Sequence, residues 1–141
     1  MAELTPLAAA VGAYLADAAS RPFDWGEEDC FLFPANWVRA RTGRDGAARW
    51  RGSYADERGA RRLLARSGGP APLFAAGCAA AGLTTISAGS DAAGDVGLIP
   101  ARTTAGRVEL VGAVRGGLGW AFRSPGGVLV APANPVQVWR I

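Results

Sequence analysis

The strongest constraint on this chain is a change of pattern a little past its midpoint. Up to Gly82, apolar residues recur at helical spacing between helix-start and helix-stop signals; beyond it, short β-prone runs alternate with glycine and proline turns. Thr5-Pro6 supplies an N-cap hydroxyl and a proline at the first helical position, and Leu4, Ala8, Val11, Leu15 and Ala18 follow as a stripe ending near Ser20. Arg21-Pro22 breaks that helix, and Phe23 to Glu28 reads as a loop. A second helix is predicted over Cys30–Arg41, apolar on every side in its first half and closed by Gly43. Ser53 with Asp56 and Glu57 signals a third helix ending at Gly68-Gly69, and Pro72–Ala81 forms a fourth. Strands are expected at Asp95–Pro100, Val108–Val114, Trp120–Ser124, Val128–Ala131 and Val136–Ile141. Helices first and an antiparallel sheet afterwards predict an α+β fold, and 141 residues without a repeat or linker predict a single domain, 1–141.

Composition narrows the chemistry. No stretch approaches the roughly 18 apolar residues of a membrane span, and Met1 to Ala19 carries Glu3 and Asp17 with no basic leader. The expectation is a soluble protein without a signal peptide. The two cysteines, Cys30 and Cys78, fall short of the three or four ligands that a metal site needs, so neither metal nor cofactor is expected. A disulfide between them is the minority reading for a protein made inside the cell. All fifteen basic residues are arginine and the chain holds no histidine. The net charge of +3 is unevenly spread: nine arginines lie between Arg39 and Arg66, whereas Asp24 to Asp29 holds four acids and no base.

The candidate for chemistry is Cys30, in Trp25-Gly-Glu-Glu-Asp-Cys-Phe-Leu-Phe-Pro-Ala-Asn-Trp37. A thiol at a helix N-terminus faces unpaired N–H groups and the positive end of the dipole, which stabilise thiolate. The nearby carboxylates of Asp24, Glu27, Glu28 and Asp29 act in the opposite sense. Pro34 cannot donate to the carbonyl of Cys30, so the first turn is distorted or the helix starts nearer the proline. On these residues alone Cys30 is open to two readings, a nucleophile or a small buried hydrophobe.

Three features together carry a resemblance: W-G-x-x-D-C before a buried helix, the Gly94-Asp-Val-x-x-Ile99 strand, and the following Leu110-Val-Gly-Ala-Val114 strand. In that order, with a small closing sheet, they resemble the NlpC-type cell-wall peptidases of papain-like fold. Trp25 to Val38 is more closely similar to a compact subgroup among phage and prophage tail genes, with the pattern W-G-x-x-D-C-x-L-F-x-A-x-W-V. The resemblance runs from about Pro22 to the C-terminus. It implies a central Cys-bearing helix packed on a small C-terminal antiparallel sheet or barrel, with Cys30 at the nucleophile position. Active relatives carry the general base in the pattern His-Val-Gly-Ile, where this chain reads Leu110-Val-Gly-Ala.

Amide cleavage by a thiol needs a group to take the thiol proton and to protonate the departing amine, and leucine does neither. Asp29 and Asp95 are the accessory carboxylates at hand, with Asp95 better suited to buttressing the strand turn. Two functions follow from the resemblance. One is a tail-tip component of a phage, prophage or gene-transfer-agent-like particle, a pseudoenzyme with a degenerate catalytic site. The other is an active tail-associated cysteine peptidase or amidase that degrades peptidoglycan during genome delivery. The implied location is the virion tail, after synthesis in the host cytoplasm. The implied partners are other tail proteins, hub or tail-tip subunits, and host peptidoglycan.

Several other features have plainer readings. The Arg39–Arg66 region, with Trp50 and Tyr54 interleaved, lacks a nucleic-acid motif and ranks below an acidic protein or wall polymer as a docking face. Gly116-Gly-Leu-Gly119 and Ser124-Pro-Gly-Gly127 are hairpin turns rather than phosphate loops. Trp120 and Phe122 alternate on one strand as core residues, and Cys78 fills space in an alanine-rich helix. Trp139 suits either the sheet core or an interface.

Overall fold

The computed structural model describes residues 5–102 and 106–141. Four helices come first: α1 (Pro6–Ser20), α2 (Phe33–Thr42), α3 (Glu57–Arg66) and α4 (Pro70–Ala80). Six strands follow: β1 (Thr84–Ile86), β2 (Val96–Arg102), β3 (Val108–Arg115), β4 (Trp120–Ser124), β5 (Gly127–Ala131) and β6 (Gln137–Arg140). They form one antiparallel sheet in the order β1-β6-β2-β3-β4-β5, so the domain is α+β. β1 and β5 each pair on one side, and backbone pairing closes no barrel among the described residues. β1 has no sequence signal of its own because three residues are too few to show alternation. Its conformation comes from pairing with β6, Thr85 against Trp139.

The first helix forms as its capping signal predicts. Thr5 Oγ1 accepts from the Ala8 N–H at 3.1 Å, and Val11, Tyr14 and Ala18 turn inward. Leu4, counted in the apolar stripe, lies outside the described residues. Arg123, reaching from β4, donates to the carbonyls of Ala18 and Arg21, setting a cation at the C-terminal end of the helix.

Two helix starts differ from expectation. The helix predicted over Cys30–Arg41 begins at Phe33, and Cys30 sits in the turn before it, so the helix itself carries no cysteine. The cause is Pro34, whose missing N–H leaves the Cys30 carbonyl without its helical partner. The chain is already curled there: the Phe33 N–H meets the Asp29 carbonyl at 3.1 Å, and Leu32 has φ −87° and ψ −9°. The helix ends as predicted at Gly43, whose φ of 77° suits the glycine-type stop. In α3 the cap is Asp56, not Ser53: its carboxylate accepts from the Gly59 N–H at 2.7 Å, while the Ser53 hydroxyl donates to the Trp50 carbonyl. α4 opens at Pro70, two residues before the expected Pro72, because Pro70 fits the first helical position after Gly69.

The sheet has a core on each face. Val96, Leu98, Val114 and Ala121 point to the helices and meet Val11, Tyr14, Phe33, Trp37 and Val38. Residues of opposite parity, Ile99, Ala113, Trp120 and Val138, form a second core on the other face, against which Ala88 and Ala133 from loops are packed. Trp120 is only 1% exposed, which makes it core, and Trp139 joins the helix-side cluster. The buried Trp37 indole donates to the Gly94 carbonyl at 2.9 Å, tying α2 to the turn before β2. At the other end of that interface, Gly112 of β3 lets α2 and α4 approach closely. A Cβ there would overlap the Phe74 ring and come within 2.8 Å of Pro34 Cγ.

Candidate functional site

The site begins in the loop between α1 and α2. Asp24 and Glu28 form an antiparallel bridge, with N–H to O distances of 3.0 and 2.8 Å, and the tight loop they close turns Asp29 inward. The Asp29 side chain is wholly buried and used on both oxygens. Oδ2 accepts from the Gly26 N–H at 2.8 Å and the Tyr54 hydroxyl at 2.6 Å; Oδ1 accepts from the N–H groups of Phe31 at 2.9 Å and Leu32 at 2.8 Å. Four donors on one buried carboxylate hold the loop, the turn and the segment ahead of α3 together. Burial, with the bond to Asp29, also pushes the Tyr54 hydroxyl pKa well above its usual value.

Cys30, one residue on, points elsewhere. It is half-buried and lines a cleft of about 110 Å³ with Trp25, Phe31, Leu64, Phe74 and Leu110. Leu110 of β3 therefore lines the same cleft as the thiol. At the cleft rim Arg61 of α3 pairs with Glu57 at 3.1 Å and with Glu109 of β3 at 3.3 Å, so both carboxylates lining it already hold a cation. Burial first, and then the Asp29 charge, push the Cys30 thiol up to about 11; the backbone N–H groups of Cys30 and Phe31 pull the other way and are outweighed. At neutral pH the sulfur is a thiol, with thiolate on the order of one part in ten thousand. The contest between helix-end donors and neighbouring charge thus goes to burial and Asp29.

The family described as a domain of unknown function (DUF6950) matches residues 4–141. This chain belongs to that family. No curated protein and no solved structure matches it.

The second accessory carboxylate of this DUF6950 chain is far from the thiol. Asp95 is 2% exposed, accepts from the Ala92 N–H at 2.8 Å and takes both donors of the Arg140 guanidinium at 2.9 Å. Its carbonyl accepts from the Arg115 N–H, at the opposite end of β3 from Leu110. Five residues of strand separate those two positions, roughly 17 Å. Asp95 buttresses a strand turn, as its position ahead of β2 suggests. Of the three residues singled out from sequence, Cys30 alone opens into the cleft.

Several participants had no legible signal. Tyr54 sits among the arginines as though it were a stacking platform, yet it is buried with its hydroxyl on Asp29 and cannot stack on a base. Glu57 read as a capping residue; with Asp56 taking the cap, it is free to reach Arg61. Phe74 meets the cleft only because α4 packs over β3. Cys78 lines a separate apolar cavity with Trp50 and Leu73, where burial pushes its thiol up to about 12; both cysteines are free thiols. In the basic region Arg51 binds Asp45 through two donors at 2.6 and 3.1 Å, and Arg49 lies over the Trp50 ring at 4.4 Å. Arg58, Arg62 and Arg66 recur along the exposed side of α3 with no ion pair among the described residues. No cluster of metal-binding side chains and no helix long and apolar enough to cross a membrane occurs among them either.

Proposed function

We propose that this protein is a tail-tip component of a phage, prophage or gene-transfer-agent-like particle, built on an NlpC-like, papain-type fold whose peptidase chemistry has been lost. One observation carries the reading. Leu110, at the position where the resemblance expects the general base, lines the same cleft as Cys30, and the chain has no histidine to take its place. Two further points support it: the thiol is pushed up to about 11, and both candidate carboxylates are occupied by structural bonds. The order of elements also suits the resemblance, with α2 following Cys30 directly and packing against β3 through Pro34 and Gly112. On this reading the exposed arginines of α3 face an acidic neighbouring subunit in the tail.

A second reading, an active tail-associated cysteine peptidase or amidase, has one feature in its favour: Glu57 and Glu109 line the Cys30 cleft. Both are engaged by Arg61, and a carboxylate is a weak partner for a thiol of such high pKa.

One experiment separates the two. Folded wild-type protein, alone and in assembled tails, is incubated with purified peptidoglycan and soluble muropeptides, beside Cys30→Ala. The proposal expects no fragment release from either, normal assembly of Cys30→Ala, and assembly defects in Arg58→Glu and Arg62→Glu. Fragment release that Cys30→Ala abolishes would establish the enzyme and overturn the proposal.

A further inference from the structure

Three of the six large apolar side chains exposed among the described residues share one part of the surface, while Val108, Val136 and Ile141 lie elsewhere. Leu118 (97% exposed), Leu129 (50%) and Val130 (54%) gather at one edge of the sheet. Leu129 and Val130 belong to β5, and Leu118 lies in the turn entering β4, whose first residue Trp120 pairs with Ala131 of β5. Among the described residues β5 is bonded to β4 alone, so its outer row of backbone donors and acceptors has no strand partner there. Edge strands are usually guarded by a lysine, an inward charge, a proline or a bulge within the strand. Gly127-Val-Leu-Val-Ala131 has none of these, with prolines only outside it at Pro125 and Pro132. No charged residue occurs from Ser124 through Trp139, in a chain that is 19% charged.

We propose that β5 is the surface through which two copies of this chain pair, edge to edge and antiparallel, extending their sheets into one. The occupant is a second copy because the strand is complementary to itself. A two-fold axis at Leu129 sets the two Leu129 side chains side by side and pairs each Val128 with the other copy's Val130. Charge points the same way. Each copy carries a net +3, with exposed arginines on α3 and elsewhere that have no ion pair among the described residues, so two copies repel over much of their surface, and the uncharged run is where they approach at least cost. A strand of five residues spans only about 17 Å, a contact at the small end of the interface range, so pairing is weak and concentration-dependent.

Sedimentation velocity across roughly 1 µM to 1 mM, a range suited to weak interfaces, tests this. The wild type is expected to pass from monomer to dimer. Leu129→Lys and Val130→Lys should each weaken association at least tenfold, while Val108→Lys, at an equally exposed apolar residue on β3, should leave it unchanged. Amide hydrogen exchange on the wild type gives a readout that needs no variant: residues 127–131 should gain protection as concentration rises. A wild type that stays monomeric throughout overturns the proposal. So does a dimer whose added protection lies outside β5, or one that both folded lysine variants leave intact.

Discussion

Asp29 and Cys30 are neighbours in the chain with opposite surroundings. The carboxylate is fully buried and takes four hydrogen bonds, two from the turn ahead of α2, one from the loop and one from Tyr54. The thiol opens into a cleft lined by Leu64, Leu110 and aromatic rings, where the carboxylates of Glu57 and Glu109 are both paired with Arg61. In this loop the Asp29 carboxylate is spent on holding the backbone, while Cys30 faces leucine and aromatic side chains and an ion-paired rim. Residues that look like one constellation in sequence are, in space, a structural keystone beside a cleft-facing thiol.

The contrast is broken most severely at its polar half. Asp29→Ala leaves three backbone N–H groups and the Tyr54 hydroxyl without their acceptor in a buried site. It should cost on the order of 3–5 kcal/mol in urea unfolding, or prevent folding altogether.

Alkaline pH is the next largest effect. The Cys30 and Cys78 thiols are raised from an ordinary 9.0 to about 11 and about 12, and the Tyr14 and Tyr54 hydroxyls are also raised. Each holds its proton in the folded chain at a pH where the unfolded chain has released it. Their stabilising contribution is thus complete below pH 9 and falls as pH rises through about 11. Unfolding midpoints measured from pH 8 to 11 should decline, and a flat profile would show that these groups are not buried.

Gly112→Ala tests the packing of α2 and α4 on β3. Its new methyl meets Phe74 and Pro34, for an expected loss of about 1–3 kcal/mol by chemical denaturation. Leu110→His tests the cleft wall directly. An imidazole across the cleft should lower the thiol pKa and raise the iodoacetamide reaction rate at pH 7 by about tenfold or more. An unchanged rate would mean that position 110 does not face the sulfur. Smallest of all, Cys30→Ala should alter stability by at most about 1 kcal/mol, one residue away from the most damaging change in the series.

Much of the architecture was legible. Thr5-Pro6, Gly43 and the Gly68-Gly69 pair mark real helix boundaries because capping and stopping are local chemistry, settled within four or five residues. The distorted start of α2 was legible in Pro34 for the same reason. β1 and the capping role of Asp56 were not. The first takes its conformation from a distant strand, and the second came from a choice among three nearby polar residues that only the path of the loop resolves. At the site, Cys30 and Leu110 were both singled out in sequence and line one cleft; Tyr54, Phe74 and Arg61 were not legible there, since each arrives from an element that sequence spacing does not bring close.

The sequence by itself determined the α+β order, the absence of histidine and a leucine at position 110, all of them matters of residue identity and short-range spacing. Only the tertiary structure decided what the acids around Cys30 do. A carboxylate's role depends on which donors surround it, and those of Asp29 come from positions 26, 31, 32 and 54, while Asp95 is claimed by Arg140 at the far end of the sheet. Burial, which pushes the thiol up to about 11, is likewise a property of the packed chain, because it depends on α3, α4 and β3 closing around a loop that none of them adjoins in sequence.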